Sequence, residues 1–141
     1  RTTVLKMAST PSGKGYWVLG TDGGVFAFGD AGFYGSLPGL SIRTPVTDLA
    51  PTPSGRGYWL LGADGGVFAF GDARFFGSIP GLRVSWSGPA RAIVPTPTGE
   101  GYLVLASDGG VFAFGDAPFL GSAVSLRKVT VDLAPVLAPA A

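Results

Sequence analysis

The sequence predicts an all-β fold built from three four-stranded repeats, and three observations lead to this prediction. First, the ten residues DGGVFAFGDA occur three times without change, beginning at Asp22, Asp64 and Asp108. Second, the 141 residues include 24 Gly and 12 Pro, and each Asp-Gly pair is typical of a tight hairpin turn. Third, no window of the chain shows helical periodicity at this density of glycine.

Composition excludes several classes of function. Apolar residues make up 46% of the chain and charged residues 13%, which is not the balance of a disordered tail. The chain contains neither Cys nor His, so disulfides, zinc sites of the Cys/His type and imidazole- or thiolate-dependent catalysis are excluded. A net charge of +1 predicts no nucleic-acid partner, and the lack of a long apolar run predicts no membrane insertion.

Each repeat is predicted to contain four strands, named a, b, c and d in chain order. In the second copy, the Asp64-Gly65 turn separates strand b from strand c and is predicted to be a two-residue type I′ turn. Strand a contains prolines, which a central strand does not accept, so strand a is predicted to lie at a sheet edge. The four strands of this copy are predicted at 46–51, 58–62, 67–70 and 75–78.

The domain is predicted to span the whole chain, 1–141, as one unit. A fourth copy of strand a alone follows the third repeat, because Leu133-Ala134-Pro135 matches Leu49-Ala50-Pro51. The predicted repeats are 3–45, 46–89 and 90–128, and the extra strand is 129–137.

Strand c predicts how the repeats pack. Val67 and Ala69 point to one face of the sheet, whereas Phe68 and Phe70 point to the other. Since neither face is polar, the sheet must be covered on both sides, as when similar sheets stack.

A unit of about 40–45 residues with four strands and an Asp-Gly hairpin resembles a β-propeller blade. The order of strand, Ser-Gly turn, strand, Asp-Gly, strand and Gly-Asp over 46–72 is similar to a WD-repeat blade, without the Gly-His and Trp-Asp dipeptides. The stretch GYWLLGADGGVFAFGDARFFGS also resembles blades of the regulator-of-chromosome-condensation type. The motifs GYW, DGGVF, FGDA and FYGS most closely resemble tandem repeats of secreted actinobacterial proteins, some of which are joined to cell-wall hydrolases. The resemblance implies a secreted or cell-surface location.

Three blades raise the question of closure, because propellers close with about four to eight. Two chains could form a six-bladed ring, or the chain could be part of a longer propeller or filament. The alternative fold is a β-trefoil, which also has four strands in each of three units.

Departures from the repeat supply the candidate interaction residues. Trp86 lies in the longer second connection between Arg83 and Arg91, a composition typical of an interface anchor, although Trp86 could instead cover the core. Val129, Val131 and Leu133 alternate as in a strand with one buried face, so 129–137 is predicted to pack against another subunit or complete a ring. The alternative for this segment is a frayed tail.

No catalytic, cofactor or metal site is predicted. The repeated aspartates, such as Asp22 and Asp30, are interpreted as turn residues that bond to nearby amides, not as calcium ligands. Trp17 and Trp59 are interpreted as core residues, or alternatively as a platform for a sugar ring.

The sequence therefore predicts a non-enzymatic, secreted repeat module for self-assembly or structural interaction at the cell surface. Its expected partner is a second copy of itself, as a homo-oligomer, a six-bladed dimer or a filament. The alternative function is a carbohydrate- or peptidoglycan-binding module that accompanies a cell-wall hydrolase.

Overall fold

The computed structural model describes residues 3–38, 44–82 and 86–121. This part of the chain is all-β and contains three separate antiparallel sheets, one for each repeat. Strands of different repeats do not pair within the described residues, and neither a closed barrel nor a closed ring is formed there. The predicted extra strand at 129–137 lies outside the described residues.

Each sheet has three strands, in the order in which they occur along the chain. The first strand is at one edge, as the prolines of strand a predicted. A single helical turn, α1 (Ile79–Leu82), follows the second sheet. Sheet 1 contains β1 (Val4–Ser9), β2 (Gly15–Gly20) and β3 (Val25–Gly29); sheet 2 contains β4 (Val46–Pro51), β5 (Gly57–Gly62) and β6 (Val67–Gly71); sheet 3 contains β7 (Ala90–Pro95), β8 (Gly101–Ala106) and β9 (Val111–Gly115).

The prediction of a fourth strand in each repeat is wrong for the described residues. Residues 33–36, 75–78 and 119–121 are irregular. Gly35 and Gly77 have φ angles of 137° and 130°, in the region that favours glycine. In the first two repeats the backbone amide and carbonyl groups of this segment bond to a tyrosine of the following sheet, so they do not extend their own sheet.

The hairpin turn also differs from the prediction. In sheet 2 the Gly62 amide bonds to the Gly66 carbonyl at 2.9 Å, which leaves three loop residues, 63–65, instead of two. Gly65 has a φ of 84°, so it occupies the left-handed position of a three-residue hairpin loop. Asp64 accepts a hydrogen bond from the Gly66 amide at 2.8 Å, which confirms its interpretation as a turn residue.

The sheets stack on one another, and sheet 2 is covered on both faces as strand c predicted. Its Phe68 and Phe70 pack toward sheet 1, around a core that includes Trp17 and Tyr58. Its Val67 and Ala69 pack toward sheet 3, in a second core that includes Trp59 and Tyr102. One apolar layer therefore joins sheets 1 and 2, and a second joins sheets 2 and 3.

The sheets approach each other along their first strands. β4 packs against both β1 and β7, whereas no such contact joins the third strands β3, β6 and β9. The arrangement brings the first strands of all three described sheets into one row.

Two glycines of the first repeat allow a test of the turn geometry. Both Gly13 (φ 75°) and Gly29 (φ 66°) are left-handed. A Cβ at Gly13 would meet nothing within 4 Å, whereas one at Gly29 would lie 2.2 Å from the Lys14 carbonyl oxygen. We expect Gly13→Ala to lower the free energy of unfolding by about 1–2 kcal/mol, the cost of left-handed backbone. Gly29→Ala should cost about 2–5 kcal/mol, because overpacking is added.

Urea unfolding followed by circular dichroism measures both variants, and Gly13→Ala serves as the matched control. Equal losses for the two variants would contradict the close approach at Gly29.

Candidate interaction surface

A tyrosine near the start of β5 and another near the start of β8 each connect their sheet to the repeat before it. The Tyr58 hydroxyl donates a hydrogen bond to the Gly35 carbonyl at 2.6 Å and accepts one from the Tyr34 amide at 3.0 Å. One repeat later, the Tyr102 hydroxyl bonds in the same way to the Gly77 carbonyl at 2.6 Å and the Phe76 amide at 2.9 Å. Burial raises the pKa of both phenols, so both remain protonated donors at neutral pH.

The loop glycine allows an aromatic ring of the following sheet to come close. A Cβ at Gly35 would lie 2.5 Å from a ring carbon of Phe70, and one at Gly77 would lie 2.7 Å from the same ring position of Phe114. The tyrosine of one sheet thus hydrogen-bonds to the glycine loop of the sheet before it, and the phenylalanine packs against the same loop. Each contact is completed by an edge-to-face pair, Trp17 with Tyr58 and Trp59 with Tyr102, with centroids 5.7 and 5.5 Å apart.

Sheet 1 presents the same face with no described sheet against it. Tyr16 and Phe28 are 41% and 48% exposed, whereas their counterparts in sheet 3, Tyr102 and Phe114, are 0% and 6% exposed. The rings of Tyr16 and Phe28 contact each other, with centroids 5.4 Å apart. We call this surface the Tyr16 face and define it as Met7, Tyr16, Val18, Phe26 and Phe28, the positions equivalent to Leu49, Tyr58, Leu60, Phe68 and Phe70.

The glycine loop of the third repeat lies at the other end of the row of sheets. Leu120 is 47% exposed, although the equivalent Tyr34 and Phe76 are partly buried against a core. No described atom lies within 4 Å of the Cβ position of Gly121, whose φ of 134° matches that of the other loop glycines. The loop has the shape of its two relatives but lacks their aromatic partner among the described residues.

A buried aspartate ties together the three first strands. Asp48 on β4 is 3% exposed, and one of its carboxylate oxygens accepts hydrogen bonds from Lys6 Nζ on β1 and from the Leu49 amide. The other oxygen accepts one from the Ile93 amide on β7 at 2.8 Å. Burial raises the pKa of Asp48, while the Lys6 ammonium and the two amides oppose this rise. The carboxylate thus joins neighbouring sheets at the edges formed by their first strands.

A second set of aspartates closes each sheet at the turn after its third strand. Asp30, Asp72 and Asp116 each accept a hydrogen bond at 2.7 Å from a buried threonine in the turn that follows the first strand. A neighbouring Ser or Thr hydroxyl donates to the second carboxylate oxygen in every copy. These bonds join residues 18 or 20 positions apart in the sequence. The sequence predicted only hydrogen bonds to nearby backbone amides for these aspartates.

The same hydrogen bonds set the acidity of these aspartates. Bonds from Ser12 and Thr10 lower the pKa of Asp30, and bonds from Thr98 and Thr96 lower that of Asp116. At Asp72 burial acts to raise the pKa, but hydrogen bonds from Ser54 and Thr52 outweigh it and the pKa is lowered. A lowered pKa in the folded state stabilises the fold above the unfolded value of 3.8. This stabilisation is lost as pH falls from there through the lowered pKa.

The predicted interaction residues are only partly within the described chain. Trp86 is half-buried and packs against the core between sheets 2 and 3, with its ring edge-to-face with Phe112 at 6.1 Å. Arg91 is exposed on β7 and forms no ion pair with a described residue. Trp86 therefore contacts the core, and its role as an interface anchor stays a prediction. Arg83 and the residues Val129, Val131 and Leu133 lie outside the described residues.

The two indoles considered as a sugar platform are buried. Trp17 and Trp59 are both 0% exposed, and their Nε1 groups donate to the carbonyls of Gly32 and Arg74 at 2.7 Å. Neither ring face is open to a sugar, so the core interpretation holds for both.

Sequence reasoning missed two features of the surface. It did not single out the Tyr16 face, because the first repeat has the same motif as the buried copies. It also predicted strands where one phenylalanine of each repeat, Phe33, Phe75 and Phe119, is 60–61% exposed. The available signal was the retention of this phenylalanine in all three copies, two residues before a glycine that is also retained.

Among the described residues no group of three or more acidic side chains is placed to hold a metal ion. No helix in the described ranges is long and apolar enough to span a membrane. Comparison with known proteins finds no family model that matches the chain and no curated protein with significant similarity.

The Lys6–Asp48 pair gives a testable pH dependence. Lys6→Met leaves the Asp48 carboxylate buried without its cation, and we expect the free energy of unfolding at pH 7 to fall by about 1–3 kcal/mol. This is less than for a fully buried pair, because the Lys6 side chain is 42% exposed. Lys6 opposes the rise in the pKa of Asp48, so its removal should raise the folded pKa further. The variant then gains more stability than the wild type as pH falls, and the deficit should shrink toward the unfolded value of 3.8.

Urea unfolding at a series of pH values measures this change. Lys14→Met, at an exposed turn position, is the control and should change stability by at most about 0.5 kcal/mol. A pH-independent deficit, or one no larger than that of the control, would contradict a structural role for the pair.

Proposed function

We propose that this chain is a non-enzymatic repeat module that assembles with copies of itself through the faces of its sheets. The observation that carries the proposal is the exposure of the Tyr16 face. The same positions form buried cores in the other two sheets, and Met7, Phe26 and Phe28 are 61%, 50% and 48% exposed in sheet 1. A contiguous apolar surface of this kind is typical of a protein–protein contact.

We further propose that the three sheets are blades of a propeller-type structure. Two observations support this over a β-trefoil: the sheets are separate, and their first strands converge on one row joined by Asp48. A trefoil would instead pair strands of different repeats in a barrel. A propeller closes with about four to eight blades, and we propose that a second copy of the chain contributes sheets beyond the three described ones.

The resemblance to tandem repeats of secreted actinobacterial proteins supports a location outside the cell, in a structural role at the cell surface. The sugar platform considered for the alternative, a carbohydrate-binding module, consisted of Trp17 and Trp59, and both indoles are buried. Self-assembly is therefore the function that the geometry supports best.

Native mass spectrometry and sedimentation velocity test the assembly. We expect a species of at least twice the chain mass of 14.3 kDa, which dissociates on dilution. Phe28→Arg should shift the population to the monomer, because it places a charge in the proposed contact. Phe75→Arg is the matched control, since Phe75 is 60% exposed in the middle repeat and lies outside the Tyr16 face. A wild-type chain that stays monomeric at its highest soluble concentration would overturn the proposal.

A further inference from the structure

The two contacts between neighbouring sheets follow one rule. A tyrosine hydroxyl bonds to the carbonyl of the loop glycine and to the preceding amide, with distances of 2.6 and 3.0 Å for Tyr58 and 2.6 and 2.9 Å for Tyr102. A phenylalanine of the same sheet, Phe70 or Phe114, lies directly over that glycine. The rule requires a Tyr–Phe pair on one partner and a glycine loop on the other.

Both halves of a third such contact are exposed, at opposite ends of the row of sheets. Tyr16 and Phe28 supply the Tyr–Phe pair and are 41% and 48% exposed. Leu120 and Gly121 supply the loop, which has the φ angle of its relatives and no described neighbour over its glycine.

We infer that the Tyr16 face binds the Leu120–Gly121 loop of a second copy of this chain, so that copies associate head to tail. This inference rests on the proposed self-assembly and specifies its partner and polarity. The Tyr16 hydroxyl donates to the Gly121 carbonyl of the other copy and accepts from its Leu120 amide, while Phe28 covers its Gly121. Because the two surfaces differ, the contact is heterologous: the copies form a ring if the rotation closes and a filament if it does not.

The contact between copies differs from the internal contacts at two positions of the third repeat: Leu120 stands where the internal loops have Tyr34 or Phe76, and Leu103 stands where the first two sheets have tryptophan. Leu103 is already buried, at 3% exposure. The contact therefore centres on the loop and not on an indole, and we expect it to be weaker than the contacts inside the chain.

Two charged variants test the polarity. Phe28→Arg blocks the Tyr16 face and leaves the loop intact, whereas Leu120→Arg blocks the loop and leaves the face intact. Both positions are about half exposed, so each variant should keep the circular dichroism spectrum of the wild type. We expect each variant alone to be monomeric. An equimolar mixture should form a one-to-one pair through its single intact contact, and the pair should not grow further.

A milder variant tests the hydrogen bond itself. Tyr16→Phe removes only the hydroxyl group and should weaken association by about 2- to 10-fold, the loss expected for one neutral hydrogen bond. Tyr34→Phe removes a hydroxyl group outside the proposed contact and should leave association unchanged.

The outcomes separate this inference from the proposed function. If the wild type assembles but the mixture of the two charged variants stays monomeric, or if Leu120→Arg assembles as the wild type does, the head-to-tail contact is wrong and self-assembly stands. If the wild type is monomeric at every concentration, both are overturned. A mixture that restores only the pair supports both.

Discussion

Each of the three described sheets is apolar on both faces, and this constraint governs the rest of the structure. A three-stranded sheet with Val67 and Ala69 on one side and Phe68 and Phe70 on the other is less stable when either face meets water, so a neighbouring sheet on each side stabilises it. Sheet 2 meets this requirement through two separate cores. The repeats are therefore mutually dependent, as in other stacked repeat proteins, where stability comes from the contacts between units as much as from the units themselves.

Apolar layers alone do not fix how two sheets are placed, since hydrophobic contact has no direction. Direction comes from a few buried polar bonds. The tyrosine hydroxyl groups fix sheets 2 and 3, each against the glycine loop of the sheet before it. Asp48 fixes the first strands of the three sheets through Lys6 and the Ile93 amide. An unmade bond at a buried polar group is costly, so a slipped stack would be penalised at each of these points.

The sequence was sufficient to predict the repeats, three of the four strands, the edge position of the first strand and the two-sided packing of sheet 2. These features follow from local periodicity and from the exact repetition of ten residues. The prediction of a fourth strand was wrong because the backbone of Gly35 and Gly77 bonds to tyrosines more than 20 residues away, which no local sequence pattern encodes. The Asp48 network was missed for the same reason, although Asp48 lies in a predicted strand between apolar neighbours. The exposure of Tyr16 could not be read from its motif, since Tyr16, Tyr58 and Tyr102 have nearly the same sequence surroundings.

Identical motifs acquire different roles through their position in the stack. Tyr58 and Tyr102 are structural because a sheet precedes each of them, whereas Tyr16 has no described sheet before it and is part of the proposed binding surface. In repeat proteins, a terminal unit would expose an apolar face to water, and such units usually carry a polar outer face instead. Sheet 1 has no such face: its outer side retains Met7, Phe26 and Phe28, each about half exposed or more. The outer side of sheet 1 thus keeps the chemistry of an interior contact, and this is why we propose that it accepts another unit of the same kind.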